Sequence, residues 1–258
     1  MKKKQIKIYC DKGVGRQSLS SFYHELSSFS LSLISSREMM ETGWESTTDL
    51  IIIPGGRDLP YHQALKGEGN QRIRRYVENG GSYLGVCAGA YYGSKTVEFD
   101  RGMELEIVGS RELAFFPGIA RGPAYGPGSF CYRSERGAKA ALISNSFAMS
   151  RLRTYYNGGC YFVEAEAVPH VTIHSHYLEI EQQHAAIIEI EVGKGKAVLS
   201  GVHLEVSAFH PPVHVKQEMI EEITPYENMR RGLFLELIYR LLKINSPLEP
   251  VKSLLNTF

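Results

Sequence analysis

Residues 82–92 read S-Y-L-G-V-C-A-G-A-Y-Y, a short apolar run that leads into G-x-C-x-G. The run at Ser82–Val86 predicts a buried strand, and the small residues after it predict a helix. A sharp turn from strand to helix brings the residues two positions away close to its centre, so glycine at 85 and 89 removes clashing Cβ atoms. The stretch therefore predicts an elbow that holds Cys87 at a helix N-terminus.

This position favours a reactive side chain at Cys87. The backbone N–H groups and the dipole at a helix N-terminus stabilise a thiolate and can hold an oxyanion. The alternative is a small buried apolar residue packed between two glycines. The elbow alone leaves both interpretations open, so the rest of the chain has to supply a base.

A base and a group to orient it follow a second apolar run. Residues 199–205 read L-S-G-V-H-L-E, and residues 197–199 predict a strand. Residues two apart in an extended segment point to the same side, so His203 and Glu205 can face one site. A thiol nucleophile needs this pair of groups. The alternative is a surface histidine beside a surface glutamate.

A glycine turn follows a third apolar run. Leu50–Ile53 is continuously apolar, as in a parallel strand buried on both faces, and Pro54, Gly55 and Gly56 come directly after it. The carboxyl ends of neighbouring parallel strands share one crevice. The N–H groups of Gly56 and Ala88 are therefore candidate oxyanion donors. Taken alone, P-G-G is typical of an ordinary turn.

The remaining pattern predicts an α/β fold with a mostly parallel sheet. Apolar runs predict strands at 5–9, 31–34, 171–180, 185–191 and 197–199, with a hairpin turn at 193–196. Helical spacing predicts helices at 18–28 and 70–79 and an amphipathic closing helix at about 229–242, with Pro247 marking its end. Glycines and prolines predict an irregular loop at 118–128. We expect a single domain over residues 1–258.

Composition excludes several classes of protein. The chain has 258 residues with 29 basic and 28 acidic side chains, which gives no indication of a nucleic-acid or anionic-membrane partner. No apolar run reaches the ~18 residues that span a bilayer. The cysteines are scattered without a C-x-x-C pair, which argues against a zinc site or a disulfide framework. We therefore expect a cytoplasmic protein. The cysteines are Cys10, Cys87, Cys131 and Cys160.

Three further patterns have an ordinary and a functional interpretation. His170, His174 and His176 could chelate a metal from one strand face, but a solvated polar face is the favoured interpretation, and we predict no metal site. Arg57 and Asp58 could bind a substrate carboxylate, although an ion pair between them is favoured. Five tyrosines near the elbow suggest an aromatic pocket wall, or ordinary half-buried packing. They are Tyr61, Tyr91, Tyr92, Tyr155 and Tyr156.

The order P-G-G, G-x-C-x-G and H-x-E resembles the class I glutamine amidotransferase-like superfamily. Within it, the chain is most similar to the biotin-protein-ligase N-terminal-domain family over about residues 5–209. The segments that carry this resemblance are 55–61, 67–70, 80–92, 155–159 and 201–205.

The resemblance implies a flavodoxin-like sheet with helices on both faces. It implies Cys87 as nucleophile, His203 as base and Glu205 as its orienting partner, with Gly56 and Ala88 supplying the oxyanion N–H groups. The residues expected to contact substrate are Gly55, Arg57, Tyr91, Asn157 and Gly158.

The chain departs from this pattern in two ways. Glutaminases of the superfamily usually continue the elbow with Gln or Met, whereas here Ala90, Tyr91 and Tyr92 follow. Bulky rings reshape such a pocket, so glutamine is not expected as the substrate. The sequence also offers only a fragment of an adenylate-binding loop, at residues 13–16, so we do not expect a biotin ligase.

Two functions follow from these expectations. The first is a cysteine-dependent amidohydrolase or amidotransferase-like enzyme that forms a thioester, acts on a small-molecule amide or ester, and requires no cofactor. The alternative is a non-catalytic binding or regulatory module linked to biotin metabolism, with a biotin-pathway protein as its partner. Thiol reactivity at Cys87 separates the two.

Overall fold

The computed structural model describes residues 3–132 and 134–245. Within them it contains thirteen strands and seven α-helices. The strands are β1 (Gln5–Tyr9), β2 (Ser30–Ile34), β3 (Leu50–Ile53), β4 (Ser82–Val86), β5 (Ser94–Phe99), β6 (Ile107–Ser110), β7 (Phe116–Gly122), β8 (Lys139–Asn145), β9 (Ser150–Tyr156), β10 (Tyr161–Phe162), β11 (Val171–His176), β12 (Ala185–Val192) and β13 (Gly195–Ser200). The helices are α1 (Arg16–Glu25), α2 (Ser36–Met40), α3 (Asp58–Leu65), α4 (Glu68–Glu78), α5 (Ala88–Gly93), α6 (Gln217–Ile223) and α7 (Glu227–Leu242).

Eleven of the described strands form one mixed sheet in the order β2-β1-β3-β4-β13-β12-β10-β7-β5-β6, with β11 added on β12. The run from β2 to β13 is parallel throughout, and β12 joins it antiparallel. Strands β8 and β9 form a separate hairpin. The predicted α/β class with a largely parallel central sheet is confirmed.

The apolar strands are buried on both faces because alternate side chains enter different cores. Leu50 and Ile52 belong to the core that contains the buried residues of α1 and α7. Ile51 and Ile53 belong to the core that contains those of α3 and α4. Successive side chains of a strand point to opposite faces, so a continuous apolar run covers both layers of helices.

The central parallel strands bring three chain segments to one edge of the sheet. β4 lies between β3 and β13, with Ile53 paired to Gly85 and Ser200 paired to Val86. The P-G-G turn, the elbow and the segment with His203 follow directly on these strand ends. This edge is where a doubly wound sheet places its binding crevice.

The predicted loop at 118–128 is wrong for its first half. Residues 118–122 complete β7, which pairs with β5 and β10. The neighbouring strands β5 and β10 supply hydrogen bonds that the residue pattern of this segment alone does not predict. Glycine at 118 also avoids a clash, since a Cβ there would lie 2.6 Å from Phe116 Cζ. The predicted strand at 171–180 is also shorter, because β11 ends at His176.

Helix α7 confirms the closing helix and begins at Glu227, two residues before the predicted start. The predicted end marker, Pro247, lies outside the described residues. Among residues 3–132 and 134–245, no helix combines the length and apolar character needed to cross a membrane.

Candidate active site

The elbow has the strained geometry that its glycines predict. Cys87 lies between β4 and α5 with φ of 50°, the left-handed region that non-glycine residues rarely adopt. A Cβ at Gly89 would lie 2.0 Å from Ile53 O, and one at Gly85 would lie 2.3 Å from Gly89 O. The turn therefore needs both glycines, and strain of this kind is common at functional sites.

The structure brings Cys87, His203 and Glu205 together. Cys87 and His203 line the same cavity, and Nδ1 of His203 lies 2.8 Å from Glu205 Oε1. His203 is almost fully buried and Glu205 is completely so. The backbone N–H of His203 donates to Tyr155 O at 3.0 Å, which anchors the segment to β9. A thiol, an imidazole and a carboxylate in this order are the groups that a cysteine-dependent acyl transfer would require.

His203 is held in its charged form. Burial opposes the charge, but the Glu205 carboxylate, the hydrogen bond with Cys87 and the hydrogen bond with Glu205 outweigh it and raise the pKa of His203 to about 10. Because this pKa is raised from 6.5, the proton stabilises the fold fully below about pH 6.5, and that stabilisation is lost as pH rises through about 10.

A fourth residue, Ser18 in α1, connects the triad carboxylate to the glycine turn. Its Oγ donates to Glu205 Oε1 at 2.7 Å and accepts from the N–H of Gly55 at 3.0 Å. Ser18 is buried. No motif in the sequence singles out this serine.

Ser18→Ala is expected to lower the free energy of unfolding by about 1–3 kcal/mol, because the N–H of Gly55 stays buried without its acceptor. The substitution also removes the hydrogen bond that Ser18 donates to Glu205. Glu205 then orients His203 less firmly, so we expect slower alkylation at Cys87. Urea denaturation and thiol labelling measure the two effects.

Ser21→Ala is the matched control for Ser18→Ala. Ser21 is buried in the same helix, and its Oγ has no hydrogen-bond partner among the described residues. Equal effects of the two substitutions would contradict the role of Ser18.

The glycine turn lies against the triad. A Cβ at Gly55 would lie 2.7 Å from His203 Cε1. The turn is fixed by two hydrogen bonds of 2.8 Å, from Gly15 N to Gly55 O and from Arg57 N to Gly13 O, neither of which uses the N–H of Gly56. Ala88 is the first residue of α5, where N–H groups have no intrahelical partner. Gly56 and Ala88, the predicted oxyanion donors, line the same cavity as Cys87.

A cavity of about 380 Å³ opens onto the elbow. Its lining includes Cys87, His203, Gly56 and Ala88, while Glu205 lies behind His203. Every residue predicted to contact substrate also lines it: Gly55, Arg57, Tyr91, Asn157 and Gly158. No motif in the sequence indicates the far wall of the cavity, to which five further residues contribute: Phe99, Ile107, Phe130, Tyr132 and Glu135.

The predicted aromatic wall is only partly present. Tyr91 and Tyr155 line the cavity, whereas Tyr61, Tyr92 and Tyr156 are fully buried outside its lining. Their hydroxyls form hydrogen bonds inside the protein; that of Tyr156, for example, donates to Gly159 O at 3.0 Å. A tyrosine ring near an elbow can face the core as readily as the crevice, and spacing alone does not decide which.

Tyr91 is fixed in place although it lines the cavity. Its hydroxyl donates to Gly158 O at 3.1 Å, and a Cβ at Gly122 would lie 1.9 Å from its Oη. The ring therefore fills the space between the backbones of Gly122 and Gly158 and cannot turn away. A fixed tyrosine ring at this position gives the pocket a different shape from one with a flexible Gln or Met.

The favoured ion pair between Arg57 and Asp58 is wrong. Asp58 is buried at the start of α3, and its Oδ2 lies 2.6 Å from Nη2 of Arg111. Arg111 follows β6, so the contact is distant in sequence. Arg57 is exposed at the cavity rim.

The three histidines of the 170–176 segment contact different carboxylates. His170 lies 3.8 Å from Glu191, buried His174 lies 3.2 Å from Glu189, and His176 lies 3.5 Å from Glu166. The pairing of β11 shifts register after Ile173, which breaks the common face. In the part of the chain that the structure describes, no group of three His, Cys, Asp or Glu residues is placed to hold a metal.

The fold is glutamine amidotransferase-like. Solved structures with this fold include PurLQS from Thermotoga maritima, with a TM-score of 0.58 and 16% identity over 93% of this chain and 99% of that one. A glutamine amidotransferase from the same organism has a TM-score of 0.56 and 14% identity, covering 94% of this chain and 100% of that one. At these identities the likeness establishes the fold alone.

The particular family follows from sequence. The chain belongs to the family described as "Biotin-protein ligase, N terminal", whose profile matches residues 4–257. An uncharacterized protein of Chlamydia muridarum is 38% identical over 216 residues, 80% of this chain and 82% of that one. The biotin–protein ligase of Schizosaccharomyces pombe is 38% identical over 207 residues, 78% of this chain but 32% of the ligase. The chain therefore spans about a third of that enzyme.

Proposed function

We propose that this protein is a cysteine-dependent amidohydrolase or amidotransferase-like enzyme that forms a thioester at Cys87. The observation that carries the proposal is the position of Cys87 beside the buried His203–Glu205 pair, on a strained elbow that opens into a cavity. A cysteine that served packing alone would need neither the charged histidine nor the cavity.

The reaction uses groups already in place. The thiolate of Cys87 attacks the substrate carbonyl carbon, a C–S bond forms, and the N–H groups of Gly56 and Ala88 hold the oxyanion. The imidazolium of His203 donates its proton to the departing amine or alcohol as the carbonyl bond to it breaks. Neutral His203 then takes a proton from water or an acceptor amine, which attacks the thioester and releases the product and the thiolate.

The substrate in this proposal is a small-molecule amide or ester that fits a cavity of about 380 Å³. The rigid ring of Tyr91 stands where glutaminases of the superfamily carry a flexible side chain, so glutamine is not the expected substrate. No step in this mechanism calls for a group other than the side chains and N–H groups named above.

The test is alkylation of Cys87 by iodoacetamide at pH 6, read by peptide mapping in wild type and His203→Ala. We expect fast labelling in wild type, because charged His203 favours the thiolate, and labelling at least ~10-fold slower in the variant. A tenfold change corresponds to about 1.4 kcal/mol of lost stabilisation.

His214→Ala is the matched control for His203→Ala, because His214 is exposed and outside the cavity lining. Cys10 and Cys131, which are partly exposed, serve as internal references. Labelling of wild-type Cys87 no faster than these two would overturn the enzyme proposal. That result would favour the second candidate function, a binding or regulatory module with a biotin-pathway partner. Membership of a family named for the N-terminal part of biotin-protein ligase supports this alternative.

A further inference from the structure

The far wall of the cavity carries a carboxylate that the reaction above does not use. Glu135 lines the cavity and lies in the segment that leads from β7 to β8. Its Oε2 accepts hydrogen bonds from the hydroxyl of Tyr155 and from Asn157 Nδ2, the latter at 3.2 Å. Both of these contacts are with neutral groups, so they orient the carboxylate without cancelling its charge.

The two residues that orient Glu135 also contact the triad. The ring of Tyr155 packs edge-on against His203 with centroids 5.5 Å apart. Asn157 presents its backbone oxygen 3.7 Å from Cys87 Sγ. Glu135 is therefore connected through Asn157 to Cys87 and through Tyr155 to His203, and all of these residues line one cavity.

Glu135 is the carboxylate of the cavity lining that forms no ion pair within the described part of the chain. Asp58 is paired with Arg111, His203 contacts Glu205, and the cationic Arg57 is exposed at the cavity rim. Asn157 Oδ1 adds an acceptor that is buried without a donor among the described residues. This wall therefore offers acceptors and negative potential next to the reacting sulfur.

We propose that Glu135 binds a cationic amine of the substrate, so that the enzyme acts on amides or esters that carry a positively charged ammonium group. This inference rests on the proposed function, and it adds the substrate class to it. The ammonium group donates to the carboxylate, a charge-assisted hydrogen bond that fixes the acyl group over Cys87.

The test uses charged thiol reagents of similar size and needs no knowledge of the substrate. Methanethiosulfonates transfer their alkylthio group to a thiolate: a disulfide bond forms and methanesulfinate leaves. The rates at Cys87 are measured with the cationic 2-aminoethyl and the anionic 2-sulfonatoethyl reagent, and each is divided by its rate with free 2-mercaptoethanol. We expect the cationic reagent to be favoured in wild type.

Glu135→Gln removes the charge but keeps an oxygen that can accept from Tyr155 and Asn157. We expect it to lower the cationic-to-anionic ratio by about tenfold, from the loss of one unit charge in a partly enclosed site. Glu181→Gln, an exposed change outside the cavity lining, is expected to leave the ratio unchanged.

The outcomes separate this inference from the proposed function. A wild-type ratio equal to that of the free thiol, with fast labelling by neutral iodoacetamide, overturns the ammonium site and leaves the enzyme proposal intact. Slow labelling by all three reagents overturns both. The wild-type ratio does not depend on folding of the variant, so a misfolded Glu135→Gln does not protect the proposal.

Discussion

Arg230→Met is expected to lower the free energy of unfolding by about 3–5 kcal/mol, because it leaves buried carboxylates without their cation. Arg230 is 1% exposed in α7, and its Nη2 lies 3.0 Å from Glu25 and 2.6 Å from Glu227. Methionine fills much of the same volume, so the loss reports charge rather than a cavity. Equilibrium denaturation in urea measures it.

The same side chain supports the candidate active site. Nη1 of Arg230 donates to the backbone oxygen of Leu204, the residue between His203 and Glu205. We therefore expect the Arg230→Met variant, where it still folds, to label more slowly at Cys87 than wild type.

Arg231→Met is the matched control for Arg230→Met. Arg231 lies 3.8 Å from the same Glu25, but its side chain is 56% exposed. Exposed ion pairs contribute about 0–1 kcal/mol, so a small change is expected. A loss below about 1 kcal/mol for Arg230→Met itself would mean that the buried carboxylates take up protons or water instead.

Gly89→Ala is expected to prevent the elbow from forming. The new Cβ would lie 2.0 Å from Ile53 O, a backbone atom of β3 that cannot turn away as a side chain can. Overpacking costs about 1–3 kcal/mol where neighbours adjust, so we expect more than about 3 kcal/mol here. Circular dichroism during urea denaturation measures the loss.

Gly232→Ala makes the same chemical change where there is room. A Cβ at Gly232 meets nothing within 4 Å, and the residue lies inside α7. Alanine is favoured over glycine in a helix by about 1 kcal/mol, so this variant is expected to be as stable as wild type or more so. A Gly89→Ala protein as stable as wild type would show that β3 and the elbow can separate at little cost.

The parallel part of the sheet can be predicted from the sequence because each of its strands has a local residue pattern. β1 alternates polar and apolar residues, β3 and β4 are short apolar runs, and the predicted limits at 5–9 and 82–86 agree with the structure. The residues that meet at the site follow these strands directly. Once strand order is known, the convergence of Cys87 and His203 follows from topology.

Other parts of the fold and of the site depend on contacts between residues that are distant in sequence, and no local pattern indicates these contacts. β7 contains three glycines or prolines, yet it is held between β5 and β10. Glu135 reaches the cavity because it binds Tyr155, twenty residues along the chain. Ser18 contacts Glu205 across 187 positions. Pairings of this kind are decided by tertiary packing, which outweighs local propensity.

The fit of Tyr91 against Gly122 ties two distant positions into one evolutionary unit. A Cβ at residue 122 would lie 1.9 Å from the tyrosine hydroxyl oxygen, so a side chain at 122 becomes acceptable only after the ring at 91 has shrunk. A smaller residue at 91 with glycine kept at 122 leaves an empty space beside the nucleophile. Divergence toward a roomier acyl pocket therefore has an order, in which position 91 changes first and position 122 follows.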